Sequence, residues 1–254
     1  MCCAAGTGLP DEIALPPRLQ ALVSLVPPVD VVADVGTGDA LVPVALIRTG
    51  KARKVIACDK SAAALDVCRG KLEQYGLWAD ELGSIELREG DGLSPLKRGE
   101  TQVTIIAGMG GLTITGILSR GPLDVAGTYV LGPMSHQKDL RLFLHEAGFT
   151  LVDEAIVRQT GKFYEFEVVL PPPGDGVCVS STAEQMPDRF PLMLEGEIGA
   201  LLWKRRDPIL KEYLVHREGK LRALEGRLAG TPRAEQIGTL RKELLNLLSK
   251  WDSR

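Results

Sequence analysis

The chain has 254 residues, 44% of them hydrophobic and 25% charged, enough for one α/β domain and a smaller appendage. A net charge of −3 excludes a protein that is basic throughout, but the charge is uneven. Residues 196–254 hold 13 Lys and Arg against 8 Asp and Glu, a balance of +5 beside a body at −8. Five scattered cysteines (Cys2, Cys3, Cys58, Cys68, Cys178) and three histidines show no metal-ligand spacing, which predicts reduced thiols, no metal and a cytoplasmic setting.

Residues 1–14 read as a flexible tail. Leu19, Leu22, Val23 and Val26 repeat at helical spacing, and Pro27-Pro28 ends that helix. Val29–Val35 reads as a strand that opens into Gly36-Thr37-Gly38-Asp39, with a helix over Leu41–Arg48. Lys54–Asp59 is a second strand, Ala62 to about Tyr75 a helix, and Ser84–Glu89 a short strand before Gly90-Asp91-Gly92. Residues 101–119 are uncharged, as a membrane span would be, but four glycines and four threonines interrupt them. Strand, turn and helix is the expected reading, with no membrane contact. The strand Val103–Ala107 runs into Gly108-Met109-Gly110-Gly111. Gly127–Leu131 is a fifth strand, and a helix follows through Leu140, Leu144 and Ala147. Phe149–Arg158 and Phe163–Leu170 flank Gln159-Thr160-Gly161-Lys162 as a β-hairpin. Residues 171–189, rich in proline and glycine at their start, read as a linker.

The segment 190–254 is periodic. Leu210, Leu214, Arg217, Leu221, Leu224 and Leu228 form one heptad seam; Ile237, Leu240, Leu244, Leu247 and Trp251 form another. Gly230-Thr231-Pro232 separates them, with Thr231 as cap and Pro232 at the first helical position. An internal antiparallel hairpin in a monomer is expected, with a dimerising coiled coil as the alternative. The whole reads as an α/β chain: residues 15–170 a doubly wound, Rossmann-like sheet closed by a β-hairpin, then a C-terminal helical (coiled-coil) hairpin.

The chemistry gathers at the carboxyl ends of the strands, where open α/β sheets bind ligands. Gly36-x-Gly38 after a strand suits a nucleotide-like ligand, but the third glycine of a dinucleotide fingerprint is replaced by Leu41. S-adenosylmethionine, which has no pyrophosphate, is the expected cofactor. Asp34, Gly36, Thr37 and Gly38 on the first turn, Asp59 and Lys60 after the second strand, Asp91 and Gly92 after the third, and Ala107 and Gly108 after the fourth are its candidate ligands. Asp59 suits the ribose hydroxyls and Asp91 the adenine amine. A nicotinamide-linked oxidoreductase is the competing reading; the missing glycine and the closing hairpin weigh against it.

These segments resemble the TrmK-type tRNA (adenine-22-N1)-methyltransferases, class I S-adenosylmethionine-dependent enzymes. The resemblance rests on Ala33-Asp34-Val35-Gly36, Pro43, Gly92-Leu93, Ile105–Gly111, Leu140-Arg141 and Phe163-Tyr164-Glu165, and starts near Pro17-Arg18-Leu19. It implies methyl transfer to N1 of adenine 22 in tRNA. Two motifs depart from the family pattern: Thr37-Gly38-Asp39 stands where Ser-Asp-His is usual, and Gly132-Pro133-Met134 where Gln-Pro-Asn is usual. Asp39, Gly108 and Met109 are the catalytic candidates. Asp39 either stabilises charge on the methylated ring or binds the cofactor's amino-acid end. Arg18, Gly110, Met134 and Tyr164 are candidates for the target nucleotide, and Lys204, Arg205 and Arg206 for phosphates, with Arg217, Lys220, Arg222 and Arg227 beyond them. An RNA-binding protein that keeps this fold without catalysis is the second alternative.

Overall fold

The computed structural model describes residues 14–78, 84–172 and 196–252. The expected N-terminal tail up to residue 13 and most of the expected linker lie outside the described residues.

Seven strands form one sheet in the order β3-β2-β1-β4-β5-β7-β6. They are β1 (Val29–Val35), β2 (Ala52–Asp59), β3 (Ile85–Glu89), β4 (Thr101–Ala107), β5 (Ala126–Gly132), β6 (Thr150–Gln159) and β7 (Lys162–Leu170). β1 to β5 run parallel, and β7 joins β5 antiparallel with β6 outside it. The parallel strands are apolar runs because helices cover both faces. The last four residues of β1 and four consecutive residues of β4 are buried.

On one face α1 (Pro17–Ser24), α2 (Leu41–Arg48) and α3 (Ala62–Gln74) pack through Leu22, Leu46 and Leu72. On the other, α4 (Gly111–Arg120) and α5 (Gln137–Glu146) pack through Ile114, Leu118 and Leu140. The chain leaves β1 toward β2 and β3, then returns to the opposite side of β1 at β4. That reversal parts the loops after β1 and β4 and opens a crevice at the strands' carboxyl ends.

The β6–β7 hairpin turns through Thr160 (φ 47°) and Gly161 (φ 77°), two consecutive left-handed residues as a tight hairpin needs. Beyond it lie α6 (Ala200–Arg205), α7 (Pro208–Arg227) and α8 (Pro232–Asp252). α7 starts at Pro208 with the Asp207 carboxylate accepting from Ile209 N at 2.9 Å. The Thr231 hydroxyl accepts from Ala234 N at 3.3 Å at the start of α8, so the expected cap is present. The two seams do not bury evenly. Leu210, Leu214, Leu244 and Leu247 are buried with Ile156 of β6, Ile198 and Leu202, whereas Leu221, Leu224, Leu228 and Leu240 are half-buried. The helical hairpin therefore roots on the sheet edge and projects from it. Neither α6 nor a 3-10 turn at Leu123–Val125 was expected from the sequence.

Candidate active site

The first turn is built on glycines because its backbone must turn left-handed twice: Gly36 has φ 82° and Gly38 φ 54°. The N–H groups of Gly36 and Thr37 both donate to the Cys58 carbonyl, at 2.8 and 3.1 Å, which fixes the turn to the end of β2. Asp39 Oδ1 accepts from Leu41 N at 3.3 Å and serves the open start of α2, where Ala40 is left-handed and offers no side-chain cap.

Asp34 lies under this turn, 4% exposed. Its Oδ2 and the Thr37 Oγ1 are both buried beneath the turn. Burial pushes the Asp34 carboxyl from 3.8 up to about 7; the adjacent Thr37 hydroxyl opposes the rise, and the nearby charges of Asp39 and Asp59 add to it.

The second wall consists of two turns zipped together. Gly108 (φ 78°) donates to the Gly132 carbonyl at 3.1 Å, Met134 N to the Met109 carbonyl at 2.9 Å, and Gly111 N to the Ser135 carbonyl at 2.7 Å. A Cβ on Gly111 would stand 2.4 Å from the His136 carbonyl oxygen, a backbone atom with nowhere to go. The closeness of two backbones, and not flexibility, requires glycine at position 111.

Between these walls is a cavity of about 340 Å³. Of the residues expected at the site, Arg18, Asp34, Gly36, Thr37, Gly38, Asp39, Ala107, Gly108, Met134 and Tyr164 line it. Met109 and Gly110 are not among the lining residues. The Met109 thioether packs inward against the first turn, with its Cε 2.8 Å from where a Gly36 Cβ would be. Met109 fills the space between the Gly36 and Gly108 turns, and its neighbours Ala107 and Gly108 face the cavity. Asp59, Lys60, Asp91 and Gly92 also lie outside the lining, at the adjoining ends of β2 and β3. Asp59 Oδ1 accepts from Ser61 N at 3.0 Å, and its backbone carbonyl accepts from Gly90 N at 3.0 Å. Lys60 is exposed, and exposed Asp91 stands 3.7 Å from Arg120. The Arg18 guanidinium makes no ion pair or hydrogen bond among the described residues, while its backbone N–H donates to Gln159 Oε1 at 3.0 Å.

Pro133, Glu165 and Phe166 also line the cavity and were not foreseen as site residues. Alternation along β7 would have put Tyr164 and Phe166 on one face; it gives no hint that the strand's end borders a cavity.

Arg205 and Arg206, expected to meet phosphates, make contacts within the protein. Arg205 reaches Asp153 at 2.5 Å and the Glu154 carbonyl, fastening α6 to β6. Arg206 donates to the Trp251 carbonyl at 2.5 Å and lies 5.2 Å over the Trp251 ring, closing the end of α8. Their guanidiniums are committed to the protein's own backbone. Lys204 is exposed beside them. Arg217, anomalous in its seam, pairs with Glu197 and donates to its carbonyl at 2.9 Å. Lys220, Arg222 and Arg227 are exposed on α7.

A parallel sheet with this switch point, a glycine turn over a buried aspartate, and an antiparallel hairpin closing the edge define a Rossmann-like α/β domain of methyltransferase topology. Residues 15–166 match the family model described as methyltransferase domain, and the chain belongs to that family. Over 157 residues it is 33% identical to the tRNA (adenine(22)-N(1))-methyltransferase of Bacillus subtilis; the match spans 61% of this chain and 64%, less than two thirds, of that protein. The crystal structure of the B. subtilis M1A22 tRNA methyltransferase TrmK superposes with a TM-score of 0.74 at 26% identity, covering 94% of this chain and 99% of that one. The M. capricolum TrmK structure with S-adenosyl-homocysteine shares the fold, with a TM-score of 0.72 at 19% identity over 94% and 98% of the two chains.

Proposed function

We propose that the protein transfers a methyl group from S-adenosylmethionine to N1 of an adenine in tRNA, at position 22. The observation that carries this reading is the crevice between the Gly36 turn and the paired Gly108 and Gly132 turns, in a chain similar along nearly its whole length to the B. subtilis enzyme. The oxidoreductase reading has no comparable support. Described residues include no group of His, Cys, Asp or Glu suited to a metal ion, and no described helix is long and apolar enough to cross a membrane.

The residues present fit the cofactor. Its sulfonium and ammonium are cationic, and the acids Asp34, under the first turn, Asp39 on it and Asp59 beside it are of the type that opposes such charge, Asp34 once it has given up its proton. The buried Asp34 carboxyl and Thr37 hydroxyl offer polar atoms to a ligand seated on the first turn. Gly36 and Gly38 leave the backbone open to close approach, and Asp59, just outside the cavity lining at the end of β2, would accept from the ribose hydroxyls. When bound, the cofactor supplies an electrophilic methyl group.

Adenine N1 carries a lone pair and no proton, so attack on the methyl carbon needs no base. The N–C bond forms as the C–S bond breaks, and positive charge moves to the ring. The protein's task is orientation and exclusion of water, which can lower a barrier by several kcal/mol. Gly108 and the Pro133-Met134 edge offer shape and backbone for this, and Asp39, on the cavity lining, would oppose the ring's new charge. Tyr164 offers an aromatic face to the base, and the Arg18 guanidinium a phosphate contact.

Phosphates elsewhere on the tRNA fall to the helical hairpin's exposed cations. Incubation with labelled S-adenosylmethionine and unmodified tRNA, followed by nucleoside analysis, tests the proposal. 1-Methyladenosine is the expected product; RNA binding without methyl transfer would instead favour the non-catalytic reading.

A further inference from the structure

Behind the cavity that Glu165 helps to line, a concentrated set of buried charge surrounds Arg141. Its Nη2 lies 2.5 Å from Glu165 Oε2 and 3.1 Å from Glu167 Oε1, and its Nε 3.9 Å from Glu154 Oε1. The arginine side chain is 11% exposed and the three carboxylates 1–2%. Arg141 Nη1 also donates to the Gly196 carbonyl at 3.1 Å. Replacing such a set by apolar side chains is often neutral or stabilising, so net stability is a poor explanation for it.

Its position suggests another. α5 begins at Gln137, directly after the Gly132–His136 turn, so Arg141 stands little more than one helical turn past one crevice wall. Glu165 belongs to the opposite wall on β7. The β5–β7 ladder pairs Tyr129 with Val169, Val130 with Val168 and Leu131 with Glu167, and ends there. Past that point Gly132-Pro133-Met134 and Tyr164-Glu165-Phe166 both line the cavity, and a Cβ on Gly132 would stand 3.0 Å from the Phe166 ring. Beyond the last ladder pair the spacing of the two segments rests on side-chain contacts: that packing and the Arg141–Glu165 pair. The Arg141–Glu165 pair spans from the helix behind one wall to the strand of the other. The same guanidinium holds Gly196, where the described C-terminal segment begins. The next residue, Glu197, pairs with Lys138 of α5 at 3.1 Å and with Arg217 of α7. Glu154 completes the node by accepting from Leu201 N at 2.7 Å and Leu202 N at 3.2 Å at the start of α6.

We propose that Arg141 is a positioning residue: it clamps the two crevice walls at the separation the target base requires and ties that separation to the seating of the helical hairpin. This rests on the reading of the crevice as the base-receiving site. A lysine would keep the charge but could not reach Glu165, Glu167 and Gly196 at once, because a guanidinium fork does what a point charge cannot. The cofactor side, Gly36–Asp39 and Asp59, lies on the far side of β4 and is left intact.

The test uses full-length Arg141→Lys and Glu165→Gln proteins, the second removing the charge at constant volume and standing in if the first does not fold. Hydrogen exchange is expected to quicken about tenfold or more in peptides spanning 132–137 and 163–167, while β1 and β2 keep wild-type protection. The kcat for methyl transfer to tRNA is expected to fall on the order of tenfold to a hundredfold, with S-adenosylhomocysteine affinity unchanged within about twofold. Unchanged exchange at the walls, acceleration spread evenly over the sheet, or equal losses in kcat and cofactor affinity would overturn the proposal. Wild-type protein that transfers no methyl group to tRNA would refute the functional reading instead, and the exchange measurement would still decide the clamp.

Discussion

Asp34 is where a single side chain exposes the account most sharply to experiment. Its carboxyl is pushed from 3.8 to about 7 by burial, so between those values the folded protein holds a proton that the unfolded chain has released. This group's contribution to stability is therefore complete at low pH and is lost as pH rises toward 7. A cationic ligand draws the ionised form, so cofactor affinity is expected to rise as pH climbs through 7, with proton release below it. Asp34→Asn should flatten that dependence in calorimetry and stabilise the fold above pH 7 by on the order of 2–4 kcal/mol. Asp59→Ala should weaken cofactor binding about ten- to hundred-fold, as loss of charged hydrogen bonds does; equal affinity would remove the ribose assignment. Gly111→Ala must displace the His136 carbonyl, so a lowered Tm with a sharp loss of methyl transfer is expected.

Among the elements, the helical hairpin divides into a root and an arm. The root buries Leu210, Leu214, Leu244 and Leu247 against the sheet edge. Deleting residues 190–254 would uncover Ile156, Phe163 and the charges around Arg141, so truncation confounds RNA contact with stability. Changing Lys220, Arg222 and Arg227 on the exposed arm to Ala avoids this. Such a protein should melt as wild type does, bind the cofactor normally, and lose tRNA affinity with a shallower salt dependence. An unaltered salt slope would show that the arm does not carry the phosphate contacts. Periodicity was enough to read both long helices and the Thr231 cap, and apolar runs placed β1 and α2 with the observed bounds. α6 escaped it because six residues show no period; Glu154, 47 residues before Leu201, accepts from the helix's first N–H groups, and the helix's own Arg205 fastens its end to β6. Arg141 and Glu165 escaped for the same reason: they meet across 24 residues, and no local pattern announces a buried pair. The glycine turns could be read because backbone constraints are local. The direction of the Met109 side chain could not, since it depends on the turn it packs against.

At the scale of the molecule, an acidic body carries a basic arm. The body's carboxylates suit a cationic cofactor and repel phosphate, and the exposed cations of α7 attract it. The two halves meet at Arg141, beside the crevice. Unmodified tRNA treated with this protein and labelled S-adenosylmethionine, then digested to nucleosides and mapped, tests the central claim most directly. One labelled 1-methyladenosine per tRNA at position 22 is the expected result. Label on another nucleoside, or none with folded protein that binds S-adenosylhomocysteine, would contradict it.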